Sequence, residues 1–262
     1  MQKNYNTLLL WSHDSSLVVN TKKTKVLHIR SSQYPTRSLN IITHSSQCLH
    51  TNTSFYLPCE CHEMIDTKSE FRYLGVWLDT RFKFDIHIQY LNNQLRTCSN
   101  LIFQLRSYRQ TSTLKIIYCA FIEQLIRYRI QSWGNTTPTY LQSIARQQNR
   151  ILKSMCSRRL STGEDNLIYF RHLNVLLVGQ LMKYITVLKF IHIKNFKEIQ
   201  NHGYETRGAD RFVEPRYNNQ YGCQLLEYVV PSLFNQLPSA VTQATSYRGI
   251  KKELRKWLLE PG

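Results

Sequence analysis

The densest group of side chains that could hold a metal ion is Cys59, Cys61 and His62, which lie within four consecutive residues. Thiolates and imidazoles suit Zn²⁺, but structural zinc sites separate two cysteines by two to four residues and then repeat that spacing with a second ligand pair. Here a single residue separates Cys59 from Cys61. Three further candidates are only loosely placed in the sequence: His44, Cys48 and His50. The spacing therefore favours loop thiols, and we predict no metal site.

Other residue types that carry chemistry are also scattered. His13, Asp14 and Ser15 are the types found in hydrolase triads, but no nucleophile elbow surrounds them. The seven cysteines are odd in number and mostly isolated. Free thiols of this kind are typical of a reduced compartment, so we expect an intracellular protein, in the nucleus or the cytoplasm. The sequence contains no run of about 18 apolar residues, and we expect no membrane span.

Positive charge is concentrated in one part of the chain. Lys and Arg number 34 against 17 Asp and Glu, which gives a formal net charge of +17. Residues 81–160 carry 13 basic and 2 acidic side chains, or +11, whereas residues 1–80 carry +2 and residues 161–262 carry +4. A segment this basic is typical of a surface that faces phosphate, because each neutralised phosphate releases condensed counterions. A merely solvated basic surface is the alternative that composition leaves open.

The elements that position these residues change character near residue 80. Before it, apolar runs at Leu17–Val19, Val26–Ile29 and Phe71–Leu78 predict strands, with Gly75 as a bend or a close backbone approach. After it, apolar residues recur at spacings of three and four, which predicts amphipathic helices. The predicted helices are 91–105, one capped by Ser112, one that begins at Thr137-Pro138, 173–193, and a last one opened by Ser246.

Short motifs follow one another along the chain in a set order. The first is Trp11 followed by Leu17–Ile29, a stretch that contains Asn20-Thr-Lys-Lys23-Thr24-Lys25. The second is Phe71–Asp79, which reads Phe-Arg-Tyr-Leu-Gly-Val-Trp-Leu-Asp. The third group is spread over the second half of the chain: Trp133-Gly134-Asn135, Gln147–Leu152, Thr206-Arg207, Tyr221-Gly222, Pro231–Pro238 and the basic segment Lys251–Leu258.

In this order and spacing the motifs resemble the C-terminal part of a non-LTR retrotransposon reverse transcriptase of the LINE or jockey type. Each motif is short and unspecific alone, but together they cover nearly the whole chain. The resemblance implies an α+β fold in three regions. Residues 1–80 would form a palm remnant with strand hairpins, and residues 81–160 a thumb-like, basic helical bundle. Residues 161–262 would form a mostly helical C-terminal region with a polar loop near 201–222.

The resemblance also implies that catalytic groups are missing. Polymerases of this type hold two Mg²⁺ ions with paired aspartates, which stabilise the attacking and leaving oxygens. No Tyr-x-Asp-Asp motif occurs here, and no two of the six aspartates are adjacent: Asp14, Asp66, Asp79, Asp85, Asp165 and Asp210. By the family's layout both catalytic motifs would precede residue 1. We therefore expect a piece that holds no cofactor and does not polymerise alone, with Mg²⁺ belonging to the intact polymerase.

Supporting roles are implied for other residues. Lys23 falls on the family's post-catalytic Lys-Thr position and would aid pyrophosphate departure; a surface lysine is the alternative. Tyr73, Leu74 and Gly75 match the hairpin that contacts the primer end in relatives, and a β-bulge is the alternative for Gly75. The thumb-like helices carry the residues expected to grip the duplex: Arg96, Arg106, Arg109, Arg146, Arg150 and Lys153. For each of these arginines a solvated charge is the alternative.

The partners implied are an RNA/DNA template–primer duplex and the upstream palm and fingers of the same polyprotein, without a membrane. A second hypothesis is a decayed or co-opted fragment that binds proteins and catalyses nothing. Apolar faces that once packed on other parts of a polymerase would then be exposed, and the chain would self-associate or be poorly soluble. The basic side chains Arg146, Arg150 and Lys153 argue against a protein-binding role for their helix.

Overall fold

The computed structural model describes residues 1–31, 33–35, 39–44, 48, 61, 63–156, 167–191, 212–219 and 221–260. The chain divides into two compact units, Met1–His87 and Ile88–Gly262, which we call the N-terminal and C-terminal units. Most described residues are helical and a small part is strand, as the α+β prediction required. Residues 201–211 of the predicted polar loop lie outside the described residues.

The N-terminal unit is built around helix α1, Gln2–Asp14. Strand β1, Val26–Leu27, pairs in parallel with β2, Thr67–Lys68, so that Val26 lies opposite Thr67. Its small core consists of Tyr5 and Leu9 from α1 and of Ile41 and Ile65 from two segments far apart in sequence. Two half-buried valines, Val19 and Val26, pack against these side chains. The core therefore depends on contacts between distant segments rather than on one continuous element.

Two predictions in this unit are wrong. The predicted strand Leu17–Val19 is not a strand; Ser16 takes a positive φ of 55° after α1, and the Leu17 amide donates a hydrogen bond to the Ser12 carbonyl at 2.7 Å, which ends the helix. The strand predicted over Val26–Ile29 is limited to its first two residues. Helix α1 itself was missed, because few of its residues are buried and its apolar periodicity is weak.

A β-hairpin follows β2. Strand β3, Glu70–Tyr73, pairs antiparallel with β4, Val76–Asp79, and Tyr73 lies opposite Val76. Only two residues, Leu74 and Gly75, join the two strands, so the strands remain paired up to Tyr73 and Val76 at the tip. The single strand predicted over Phe71–Leu78 is thus a hairpin, as the family motif implied.

The C-terminal unit is helical in its described part. Its elements, with α2 starting at the end of the N-terminal unit, are α2 Asp85–Leu105, α3 Thr111–Ile117, a π-helical turn Tyr118–Ile122, α4 Glu123–Arg127, α5 Ile130–Trp133, α6 Pro138–Met155, α7 Ile168–His172, α8 Val178–Phe190, a 3-10 turn Gly222–Gln224, α9 Leu226–Phe234, α10 Ser239–Thr242 and α11 Tyr247–Leu259. Helices α6, α9 and α11 pack against or around α8, so residues before and after position 160 belong to one unit.

Several helix boundaries follow from sequence signals. Helix α6 begins at Pro138 after Thr137, as predicted, because proline lacks the amide hydrogen that the first helical position leaves unused. The Ser246 hydroxyl accepts a hydrogen bond from the Gly249 amide at 3.0 Å, which confirms the predicted cap of α11. The Ser112 prediction is wrong: α3 begins at Thr111, so Ser112 is already inside the helix.

The core of the C-terminal unit lies between these helices. Its fully buried large side chains come from α2 to α6, including Leu95, Ile102, Leu114, Tyr118, Ile122, Ile126, Ile130, Trp133, Ile144, Ile151 and Leu152. Burial of this much apolar surface is the main stabilising contribution to a helical unit. Among the described helices, none is both long enough and apolar enough to cross a lipid bilayer.

Candidate nucleic-acid interface

The tip of the hairpin presents two large apolar side chains to solvent. Tyr73 is 57% exposed and Leu74 is 58% exposed. Both residues of the turn have positive φ, 44° at Leu74 and 84° at Gly75, which is the combination that a two-residue type I′ turn requires. Gly75 adopts this conformation freely, whereas leucine does so at a cost of the order of 1 kcal/mol. Gly75 therefore lies in a tight turn rather than in a β-bulge.

The exposed tip of the hairpin has a strained backbone at Leu74. Asparagine or glycine at position 74 would adopt the positive φ of this turn more readily than leucine does. Strained residues tend to cluster at functional sites, where the surroundings or a ligand justify their cost. The tip therefore combines a strained backbone with exposed apolar side chains.

Asp79 ends the hairpin and has a structural role. Its carboxylate accepts hydrogen bonds from the backbone amides of Arg81 at 2.8 Å, Lys83 at 3.2 Å and Phe84 at 2.7 Å. Three amide donors orient both carboxylate oxygens toward the chain that leads into α2. Asp79 therefore fixes the segment between β4 and α2, and this explains the aspartate that closes the hairpin motif.

Asp66 is held by lysines. The Lys25 ammonium lies 2.6 Å from its carboxylate and Lys68 lies 3.7 Å away. The hydrogen bond and charge of Lys25, and then the charge of Lys68, hold the pKa of Asp66 below its usual value. Asp165 and Asp210 lie outside the described residues.

Lys23 lies in a turn. Its backbone amide donates to the Asn20 side-chain oxygen at 3.0 Å, and the Thr24 hydroxyl donates to the Asn20 carbonyl at 2.8 Å. The Lys23 side chain is exposed. The Asn-x-x-Lys-Thr spacing of the motif therefore produces an asparagine-stabilised turn that presents a lysine to solvent.

The basic residues predicted on α2 are all exposed. Arg96 lies within the helix, and Arg106 and Arg109 follow its end, while Leu95 and Ile102 on the other side are fully buried. The Arg106 guanidinium lies 3.8 Å from the centre of the Phe103 ring. A guanidinium above an exposed ring is partly desolvated and held in place, which suits it to stacking or phosphate contact.

Helix α6 carries its charges and its buried apolar side chains on different faces. Arg146, Arg150 and Lys153 are exposed at spacings of four and three, whereas Ile144 and Ile151 are fully buried. Residues at these spacings lie on one helix face, so their charges form one stripe. Arg146 and Arg150 form no ion pair with any carboxylate in the described part of the chain. The Lys153 ammonium lies 5.7 Å from the centre of the Tyr169 ring.

Gln148 anchors α6 between those arginines. It is fully buried, and its amide group donates to the Tyr118 hydroxyl at 3.0 Å and to the Leu176 carbonyl at 3.3 Å. Its side-chain oxygen accepts from the Val178 amide at 2.9 Å, which satisfies a donor at the start of α8. One side chain therefore connects three helical segments and fixes the rotation of α6, which sets the direction of the exposed arginines.

Asparagines of the other motifs also have structural roles. The Asn135 side chain donates to the Gln224 carbonyl at 3.0 Å, which joins two segments 89 residues apart. Asn235 exchanges two hydrogen bonds with the Phe212 backbone, at 2.8 and 3.1 Å. These motif positions are therefore explained by side chains that replace backbone hydrogen bonds between distant segments.

One group of potential metal ligands is brought together by the fold. The ligand atoms of His44, Cys48 and Cys61 all lie within 4.8 Å of one another, and all three residues are half-buried. Sequence spacing did not reveal this group, because Cys61 is 13 residues from Cys48 and reaches it through chain pairing. Cys59 and His62, which lie next to Cys61 in the closely spaced group of the sequence, are outside the described residues.

Comparisons of this chain with protein-family models, with curated proteins and with solved structures found no match.

Proposed function

We propose that this chain is the thumb-like, duplex-binding part of a reverse transcriptase of the non-LTR retrotransposon type. The observation that carries the proposal is the charge stripe of α6, in which Arg146, Arg150 and Lys153 are exposed while the opposite side is buried. Arg146 and Arg150 form no ion pair in the described part of the chain, and a cationic stripe attracts polyphosphates because neutralising them releases counterions. The grip would contact backbone phosphates, so binding should depend weakly on nucleotide sequence.

Other exposed groups support the same role. Arg96, Arg106 and Arg109 add cations outside α6, and the strained tip at Leu74 offers an apolar contact in the N-terminal unit. In the proposed function these cations hold an RNA/DNA duplex and the tip meets a primer end. Lys23 would serve only as an accessory cation.

Polymerisation is not part of the proposed function of this chain on its own. The aspartate pair that would hold two Mg²⁺ does not occur as adjacent residues, and Asp66 and Asp79 are engaged by lysines and by backbone amides. A primer-extension assay with Mg²⁺ and all four deoxynucleotides should therefore show no product. Robust synthesis would refute this point and leave the binding proposal to its own test.

Binding is tested with a fluorescent RNA/DNA hybrid across a salt series. If Arg146, Arg150 and Lys153 each neutralise one phosphate, changing all three to Gln should make the plot of log affinity against log salt shallower by about 2.7. Between 50 and 200 mM salt the wild type should therefore lose about 40-fold more affinity than the triple variant. The wild type should show the steep dependence.

A matched control removes the same charge elsewhere. Lys251, Lys252 and Lys256 are three exposed lysines of α11, and changing all three to Gln lowers the formal charge by the same amount. We expect this control to keep a salt slope close to that of the wild type. Equal loss in both triple variants would show a diffuse basic surface and contradict a localised interface, as would a flat salt response of the wild type.

A second candidate function is protein binding, and one observation favours it. Helix α2 and the π-helical turn border an open apolar cavity of about 250 Å³. Its lining among the described residues is Cys98, Leu101, Ile102, Leu105, Ile117, Phe121 and Ile122. Leu101 and Phe121 at its rim are 50% and 70% exposed. Exposed apolar clusters of this kind often mark an interface. This candidate predicts self-association or poor solubility through the apolar rim, so sedimentation should show oligomers or aggregates of the wild type and fewer of them in Phe121→Glu.

A further inference from the structure

The structure assigns a zinc-binding site to His44, Cys48 and Cys61 in the N-terminal unit. This inference is independent of nucleic-acid binding. It reverses the expectation of no metal drawn from the tight Cys59-x-Cys61 spacing, because the fold selects a different set of ligands.

Chain pairing brings the ligands together. The Thr43 amide donates to the Glu63 carbonyl at 2.8 Å, the Ile65 amide donates to the Ile41 carbonyl at 2.9 Å, and Ile42 bridges Met64 in antiparallel fashion. In this antiparallel register the first segment runs from residue 41 toward His44, and the second runs from Cys61 toward residue 65. His44 and Cys61 are therefore at the same end of the pair. The pairing therefore carries His44 to Cys61 across 17 positions of sequence.

Helix α1 holds the paired segments in place. The Gln2 side chain donates to the Ile42 carbonyl at 2.7 Å and accepts from the Ile42 amide at 2.9 Å. Ile41 and Ile65 are buried beneath the pair, next to Tyr5 of α1. The segments that lead to His44 and from Cys61 are therefore supported by hydrogen bonds and by a core on one side, which positions these two ligands before a metal arrives.

The distance between two of the ligand atoms matches a tetrahedral zinc ion. The Cys48 sulfur lies 3.6 Å from Nδ1 of His44, and Cys48 follows His44 by four positions. Bonds from zinc of about 2.3 Å to sulfur and about 2.0–2.1 Å to nitrogen, at the tetrahedral angle, place those two atoms about 3.6 Å apart. The third ligand atom, Sγ of Cys61, lies within 4.8 Å of the Cys48 sulfur and of a ring nitrogen of His44, and binding would draw it closer.

The chemistry of the ligands selects the metal. Two thiolates and one imidazole are soft to borderline donors, which disfavours Mg²⁺ and Ca²⁺ and suits Zn²⁺. Two thiolates also neutralise the charge of the ion, so a half-buried site gains no net charge on loading. Three protein ligands leave a fourth position for solvent or one further donor. Bound zinc would link the side chains of His44, Cys48 and Cys61.

The site is tested on the full chain, reduced and freed of metal with a chelator. Titration with Zn²⁺ against a chromophoric chelator should give one ion per chain. Loading with Co²⁺ should give tetrahedral visible bands and a thiolate-to-cobalt charge-transfer band. His44→Ala, Cys48→Ser and Cys61→Ser should each weaken Zn²⁺ binding by at least about 100-fold, since even outer-shell changes cost 10–100-fold.

Matched controls are Cys98→Ser and Cys156→Ser, half-buried thiols of the C-terminal unit, which should leave stoichiometry and spectra unchanged. Because a ligand variant can misfold, the wild-type cobalt spectrum stands by itself: absence of thiolate charge transfer overturns the proposal. Loss of binding in Cys59→Ser or His62→Ala but in none of the three ligand variants also overturns it. So does a wild type in which Cys48 and Cys61 form a disulfide and, once reduced, take up no metal.

Discussion

Replacing Gln148 with leucine should destabilise the C-terminal unit strongly although the two side chains are similar in size. The change removes two donated hydrogen bonds and one accepted hydrogen bond from a site that is 0% exposed. It leaves the Tyr118 hydroxyl, the Leu176 carbonyl and the Val178 amide without this partner in the core. A buried polar group that loses its partner costs about 1–3 kcal/mol. We therefore expect a loss of about 3 kcal/mol or more in the free energy of unfolding.

Two further variants make a graded series. Tyr118→Phe removes one hydroxyl and leaves the Gln148 bonds to Leu176 and Val178 intact, so it should cost about 1 kcal/mol. Gln142→Leu makes the same chemical change as Gln148→Leu at an exposed position of α6 and should stay within about 0.5 kcal/mol of the wild type. Any helix-propensity difference is thereby controlled.

The assay is urea unfolding followed by circular dichroism at 222 nm and by tryptophan fluorescence, since Trp133 is buried in the same unit. Agreement between the two probes tests whether the unit unfolds in one step. If Gln148→Leu is as stable as Gln142→Leu, the buried hydrogen-bond network does not hold α6 in place. The explanation for the direction of Arg146 and Arg150 would then fail.

Three other predictions concern single positions. Leu74→Asn should stabilise the hairpin by roughly 0.5–1 kcal/mol, because Asn-Gly suits a type I′ turn, while weakening duplex binding; unchanged binding would exclude the tip from the interface. Burial lowers the pKa of His87 from its usual 6.5 to about 4, measurable by NMR titration of its ring protons. Between these pH values the unfolded chain binds a proton that the folded chain does not, so stability falls by about 3 kcal/mol as pH drops from 6.5 to 4, and His87→Leu should remove this loss. Ser246→Ala should cost about 1 kcal/mol by thermal unfolding and Ser246→Asp should restore it, since Ser246 caps α11 through the Gly249 amide.

Sequence periodicity predicted the helices of the C-terminal unit best. Spacings of three and four follow directly from helix geometry, so α2, α6 and α11 were expected near their observed positions, and Thr137-Pro138 and Ser246 marked two helix starts. Exposure of the predicted arginines also follows, because a helix that buries one side shows the other to solvent.

The N-terminal unit was harder to predict for a physical reason. Its core joins Tyr5 with Ile41 and Ile65, and β1 pairs with β2 across about 40 residues. Such pairings are selected by the whole fold and leave little periodic trace in two-residue strands. The same cause hid the ligand group of His44, Cys48 and Cys61, since local spacing carries no information about segments that meet in space.

Each of two motifs in this chain contains one residue with a structural role and one residue exposed to solvent. In α6, Gln148 points into the core and connects three segments, while Arg150, two positions later, is exposed. In the hairpin, Asp79 orders the chain toward α2, while Leu74 is exposed in a strained turn. Gln148 fixes the backbone of α6 so that Arg150 has one direction, whereas Asp79 fixes the chain that follows the hairpin. A substitution at the buried position should therefore impair both stability and duplex binding, whereas a substitution at the exposed position should impair binding alone.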